Sequence, residues 1–390
     1  MSSLKGKLLQ FALCGSAKSG KCNPYEAVEP VNRQRILLLI NSKPLDAERI
    51  AKKLNLDIKE TREDLMRLKE CGLIKEANNQ YLPSFPIFTL KDQMTLSPLL
   101  NKLSSSVKSI VEKRLSDVRK LVGDLECTKR GLNFSDLEYI IVGAITLDYE
   151  ALEVFRDEEL LLPEKEMPGG SYIFSGFELG LIDLRKSWMW GHNSVYGKYW
   201  FSTHGRIPKE GRRAFPDLAW RLTSHIEWDW NKIEHMMKRI GEILELLSIE
   251  NLSVKDLSAK TKMIEEELLI ELALLETLQY IVSAENRWKI NRPFFTTSDL
   301  EKIRGLSESI LKEISSFFKG KLVKIKELYD QTSPSKNKII FKESFNPLYH
   351  LIFENTLNLL IESKAINSPA FGKDGEKYSP FIGIEMKQPN

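Results

Sequence analysis

Histidine and cysteine are scarce in this chain, five and four among 390 residues. The cysteines, Cys14, Cys22, Cys71 and Cys127, stand at irregular spacing, with no CxxC pair and no charged-then-apolar leader before them. That usage points to a reducing cytoplasm rather than a secreted disulfide framework. His192 and His204 are twelve residues apart, and no cluster of histidine or cysteine has zinc-site spacing, so neither a metal nor a cofactor is expected. A histidine isolated in an aromatic segment reads as a hydrogen-bonded structural residue. Nucleophilic chemistry lacks its signatures as well: there is no GxSxG, no cysteine beside a glycine elbow and no carboxylate pair that stands out from surface charge. We expect no enzyme and no catalytic residue. The longest apolar run, residues 139–147, falls far short of the roughly 20 residues that span a bilayer, so no membrane role is expected. A formal net charge of +3 is too small for a uniformly basic coat, although it allows a local basic patch.

Gly15-Ser16-Ala17-Lys18-Ser19-Gly20-Lys21-Cys22 almost spells a phosphate-binding loop. Cys22 replaces the hydroxyl that would meet Mg²⁺, Asn23-Pro24 blocks immediate helix continuation, and no downstream strand ends in a clear magnesium-binding acid. A basic, glycine-rich arm contacting phosphate or protein is the better reading.

What the chain does contain is a repeat. Residues 36–89 lie over 243–296 at a constant offset of 207, without a gap. Ile36/Ile243, Leu37/Leu244, Leu39/Leu246, Leu45/Leu252, Leu65/Leu272, Leu68/Leu275, Ile74/Ile281, Pro86/Pro293, Phe88/Phe295 and Thr89/Thr296 are identical. The shared positions are of core type and the polar positions between them have diverged, so one fold with two different surfaces is expected. In the first copy, residues 35–41 read as a short helix, and Asp46 caps a second through Ile50 and Leu54. Residues 58–71 place Leu65 and Leu68 on one helical face, with Gly72 in the left-handed position that ends a helix. A hairpin turning at Asn78 and Asn79 follows.

This pattern resembles the winged helix-turn-helix of ArsR-type regulators, over about 55 residues in each copy. The resemblance rests on an apolar framework and one glycine, and it implies a fold more than an activity. Each unit continues into long amphipathic helices, with Leu99, Leu103, Val107, Val111, Val118 and Leu121 in one and Leu300, Ile303, Ile310 and Ile314 in the other. Such stripes suit either the seam of a homodimer, which we expect, or packing against the chain's own second copy. The expected class is α+β, mainly α: a duplicated winged helix-turn-helix with long amphipathic helices and a small central β-rich insert. Its expected segments are an N-terminal arm (1–34), winged helix 1 (35–90), a helical segment (91–160), the insert (161–232), winged helix 2 (233–297), a second helical segment (298–366) and a tail (367–390). The two ends lack a clear period and read as extended arms.

Charge separates the possible functions. The first recognition helix, residues 57–71, sets Lys59, Arg62, Arg67 and Lys69 against five acids, a balance of minus one. Over 262–278 Lys262 alone faces five glutamates, a balance of minus four that repels a duplex. Positive charge collects instead at 185–221, where eight cations face two anions among closely spaced aromatics. Six of the seven tryptophans fall between 188 and 230. Arginine beside aromatic faces suits unpaired bases or a ribonucleoprotein surface, while a tryptophan core is the plainer reading of most of these rings. The expected contacts are Arg185, Lys186, Trp188, Trp190, Lys198, Arg206, Lys209, Arg212 and Arg213, with RNA or a ribosome-like particle as partner. The alternative is a DNA-binding repressor using Lys59, Thr61, Arg62 and Arg67.

Overall fold

Asp46 and Asp57 open two consecutive helices, as their position before the apolar steps requires. Asp46 accepts from the Arg49 amide ahead of Ala47–Leu54, and Asp57 accepts from the amides of Lys59 and Glu60 ahead of Ile58–Glu70. With Val31–Ser42 these form three helices, followed by strands β2 (Ile74–Ala77), β3 (Gln80–Pro83) and β4 (Ile87–Phe88). The computed structural model describes residues 8–18, 20, 22–184, 189–206, 218, 230–372 and 377–384. Among them the architecture is mixed α and β, mostly helical, with several small sheets.

The same order recurs as helices Trp230–Ile249, Val254–Thr261 and Glu265–Thr277, then β9 (Ile281–Ala284), β10 (Arg287–Ile290) and β11 (Phe294–Phe295). Backbone detail recurs at the same offset. Left-handed residues Asn55, Gly72, Asn78, Asn79 and Gly131 have counterparts at Lys262, Gln279, Glu285, Asn286 and Lys338. All the identical apolar positions are buried except Leu39 and Leu246, which are partly covered.

The chain divides into two compact units that do not follow sequence order. The first takes in residues 1–108, 151–188 and 313–356; the second takes in 109–150, 189–312 and 357–390. The three helices and short strands of residues 31–88 therefore share a unit with the helices after 313, and those of residues 230–295 with the helices between 109 and 150. In unit 1, β1 (Leu9–Ala17) pairs antiparallel with β6 (Gly170–Glu178), which also takes β5 (Lys165–Met167) antiparallel and β4 parallel. In unit 2, β8 (Tyr199–Gly205) pairs antiparallel with both β7 (Trp190–Tyr196) and β12 (Tyr378–Ile384), and β12 takes β11 parallel. The stretch expected as one insert is thus split, β5 and β6 closing one sheet and β7 and β8 another.

Both expected arms are also corrected: most of the N-terminal stretch is ordered as β1 and the helix Pro24–Val28, and the tail supplies β12. Pro24 opens its helix rather than blocking one, with Asn23 as cap, because a first-turn residue needs no amide donor. Cys22 is joined to Cys71 by a disulfide, against the expectation of four reduced thiols. The two residues are 49 apart in sequence, and only the fold brings their Cα atoms to 4.9 Å.

The long helices are Leu90–Asp124 and Thr297–Lys319, and their stripes are buried within the single chain, from Leu103, Val107 and Val111 to Ile303, Ile310 and Ile314. Each begins at a buried aspartate. In unit 1, Asp92 Oδ2 accepts from the amide and hydroxyl of Thr89 (both 2.8 Å), and Oδ1 accepts from the Ser333 amide at 3.0 Å. In unit 2, Asp299 Oδ2 accepts from the amide and hydroxyl of Thr296, and Oδ1 from the Glu126 amide at 3.0 Å.

The helices that follow differ in one way. Residues 140–150 are a π-helix, in which the Thr146 hydroxyl donates to the Ile141 carbonyl, whereas Phe341–Glu362 is α-helical throughout. Left-handed Glu159 and Lys364 end the two segments 205 residues apart rather than 207, so the first holds two more residues. Each π turn takes about one residue more than an α turn, so roughly two such turns absorb both without lengthening the helix.

Replacing Asp92 or Asp299 by alanine strands buried amides and should cost roughly 2–4 kcal/mol, read from urea unfolding; a cost near zero would show these carboxylates to be passive. Reduction of the Cys22–Cys71 bond, which closes a 49-residue separation, should cost about 4 kcal/mol. An unfolding midpoint insensitive to dithiothreitol would contradict this.

Candidate nucleic-acid interface

On the helix Ile58–Glu70 the inward residues are Thr61, Leu65 and Leu68, which leaves Lys59, Arg62, Met66 and Lys69 to face outward. Thr61 is 1 % exposed and donates to the Asp57 carbonyl at 2.8 Å, so it cannot read a base. This corrects its candidacy: it sits one turn after the cap, where a hydroxyl bonds back into its own helix. Arg67 is half-buried, its guanidinium 3.9 Å from Glu70. Arg62 donates to Glu48 at 2.6 Å, and that bond holds the Glu48 carboxyl below its usual range. Lys69 donates to Glu76 at 2.7 Å, which raises the ammonium's pKa. Of this helix's four cations, Lys59 alone has no carboxylate within 4 Å among the described residues. Exposed pairs are worth little, so Arg62 can leave Glu48 for a phosphate at small cost.

The helix Glu265–Thr277 presents a different surface. Leu268, Leu272 and Leu275 are buried, as is Glu271, which accepts from Arg239. Burial raises the Glu271 carboxyl against the lowering effect of Arg239. Outward lie Glu265, Glu266, Leu269, Ile270, Ala273 and Glu276, with no cation on the helix itself. Nothing here attracts phosphate.

Of the nine expected contacts between 185 and 213, Trp190, Lys198 and Arg206 are described; Arg185, Lys186, Trp188, Lys209, Arg212 and Arg213 lie outside the described residues. Lys198 sits in the β7–β8 turn, where Gly197 takes a positive φ of 64°, and its ammonium is 2.7 Å from Glu245. The Tyr199 hydroxyl also donates to Glu245, at 2.6 Å, and burial together with that carboxylate drives its phenol pKa upward. Arg206 follows the far end of β8, where its guanidinium donates to Asn358. Eight residues of extended chain separate the two cations by roughly 25 Å, so β8 does not gather them. Trp190 is half-buried at the start of β7. Trp200 packs edge-on against Tyr149 and Phe381 and donates to Asn193, while Tyr199 and Phe201 are core residues. The described rings of β8 therefore behave as core.

A buried polar cluster in unit 2 carries no signal in the sequence. His204 is fully buried, its Nδ1 2.8 Å from the Tyr139 hydroxyl and its Nε2 3.3 Å from Asp148. Tyr149 and Ser202 share a hydrogen bond of 3.0 Å beside them. The residues come from β8 and the π-helix region, more than fifty positions apart. No group of three or more metal-ligating side chains occurs among the described residues, and no described helix is long and apolar enough to cross a membrane.

Comparison with known proteins gives no likeness from which to carry a role: no family model, no curated protein and no solved structure matches this chain.

Asp136, also buried in unit 2, accepts from Ser379 at 2.6 Å, yet burial prevails and raises its carboxyl pKa. The folded state then holds this proton more tightly than the unfolded one. The associated stability is complete below the unfolded value of about 4 and is lost as pH rises through the higher folded value. Replacing Asp136 by asparagine should remove that loss, so the stability difference between variant and parent should grow in the variant's favour on going from pH 4 to pH 7. A difference independent of pH would show that Asp136 does not titrate in this window.

Proposed function

We propose that the chain is a duplicated winged helix-turn-helix protein of ArsR-like type, and that it acts as a non-catalytic regulatory or assembly factor. It engages structured RNA or a ribonucleoprotein surface through the basic and aromatic stretch at 185–221 and works by occupying that surface. The recurrence of caps, left-handed residues and buried positions 207 apart supports the duplication. The observation that carries the functional reading is the loss of a cationic row from the recognition helices. The first offers Lys59 and an Arg62 already held by Glu48, and the second offers glutamates around Leu269 and Ile270. Duplex binding draws much of its affinity from phosphate neutralisation; the first helix has Lys59 and, at small cost, Arg62 for it, and the second has no cation. Burial of the long apolar stripes within one chain means that this reading needs no dimer partner to cover them.

A DNA-binding repressor is the second reading, favoured by the exposed Lys59 beside the start of its helix. Filter binding with structured RNA, ribosomal subunits and duplex DNA separates the two. Reversing Arg212 and Arg213 to glutamate should weaken RNA or subunit binding by an order of magnitude or more at fixed salt, while reversing Lys59 and Arg62 should leave it within about two-fold. Sequence-specific duplex binding abolished by the Lys59 and Arg62 reversals, with no affinity for RNA, would overturn the proposal.

A further inference from the structure

The outward face of Glu265–Thr277 is unlike that of an ordinary solvated helix. Ile270 is 72 % exposed and Leu269 48 %, and Ile264, which immediately precedes the helix, is 59 % exposed. Leu269 and Ile270 each neighbour Ala273, four and three residues on, and the three form an exposed apolar strip along one face, with Ile264 standing apart at the helix start. Single exposed apolar residues are unremarkable, but a contiguous strip rimmed by charge marks a contact surface. The rim here is acidic. Glu265 and Glu266 have no described cation within ion-pair distance, Glu276 accepts only from Ser283 (2.7 Å), and Glu267 alone is paired, with Arg239 at 3.5 Å.

The replacement pattern excludes the nucleic acid that winged helices usually meet at this face. Positions 207 apart exchange Lys59 for Glu266, Arg62 for Leu269, Glu63 for Ile270 and Lys69 for Glu276, while Leu65 and Leu68 keep their leucines at 272 and 275. The fold is retained and the groove-facing side chains have become apolar and anionic. A capping carboxylate is gone too: Asp57 caps the first helix, and Ile264 occupies that place in the second with its side chain in solvent.

We propose that this face is a docking site for a protein segment that carries an aliphatic anchor flanked by lysine or arginine, the chemistry complementary to an apolar strip between glutamates. Leu269 and Ile270 receive the anchor, and Glu265, Glu266 and Glu276 meet the cations. The assignment does not depend on RNA binding by residues 185–221, and loss of RNA binding in the Arg212 and Arg213 variant would leave it intact.

The test uses the full-length chain and two labelled synthetic helical peptides, one with leucines at helical spacing flanked by lysines and a twin with glutamates in place of the lysines. Fluorescence anisotropy should show binding of the lysine peptide, weakened by added salt, and little binding of the twin. L269D/I270D should weaken the lysine peptide on the order of ten-fold or more, with far-UV circular dichroism unchanged because both side chains face water. E265K/E266K should reverse the preference between the two peptides, which provides an answer that does not depend on the double-aspartate variant folding. Equal binding of both peptides, or binding indifferent to either variant, overturns the proposal. So does concentration-dependent self-association in sedimentation that L269D/I270D abolishes, since the occupant would then be a second copy, and so does a loss of RNA affinity in that variant, which would make the face a nucleic-acid contact.

Discussion

A single carboxylate at the start of each long helix holds together two stretches of chain that the sequence keeps far apart. Asp92 ties the residue after β4 to its own helix through Thr89 and binds the amide of Ser333, 241 residues later; Asp299 does the same through Thr296 and the amide of Glu126, 173 residues earlier. A carboxylate has two oxygens, and here each serves a different partner, so neither can be lost without leaving a buried amide unsatisfied. Nearby bonds follow the same pattern. Asn337 donates to the Asn41 carbonyl at 2.8 Å in one unit, and Arg130 donates to the Ser248 carbonyl at 2.9 Å in the other, again at positions 207 apart.

Those bonds define the exchange. The later helical segment in each unit comes from the other half of the chain, so unit 1 joins residues up to 108 with 313–356 and unit 2 joins 109–150 with 189–312. The β-rich middle is divided likewise. The two-residue strands β4 and β11 each pair with a longer neighbour, β6 and β12, which also take antiparallel partners. The stretch between the repeats is therefore shared out between two sheets.

How much of this the sequence could tell depends on the range over which each feature is decided. The apolar frame from Ile36 to Phe88, the caps Asp46 and Asp57, the left-handed Gly72 and the turn at Asn78 and Asn79 are local, and their residue types suffice. β1 was illegible because its burial does not alternate and its partner β6 lies more than 150 residues away. The disulfide was illegible for the same reason, since Cys22 and Cys71 become neighbours only after the helices fold. Thr61 misled in another way. Its type suits a base contact, but its phase places it with Leu65 and Leu68 on the buried side. The π-helix had no signal in composition, and only the count of residues between two left-handed positions reveals it.

The helices Ile58–Glu70 and Glu265–Thr277 show how one buried face can carry two different surfaces. Inward positions are held by packing: exchanging Leu65 or Leu272 for a smaller residue leaves a cavity costing about 2–5 kcal/mol, a large share of a domain's stability. Outward positions carry no such penalty, and charge there can change sign with effects below about 1 kcal/mol on folding. Selection on the core and selection on the surface therefore act on different residues of the same thirteen-residue helix. Arg62 and Leu269 differ entirely in chemistry while Leu68 and Leu275 remain identical and fully buried. A large aliphatic side chain in water is the exception to that freedom, because it gains nothing for folding and invites association. Ile270, exposed where position 63 carries a glutamate, is the side chain of this helix that the demands of folding account for least.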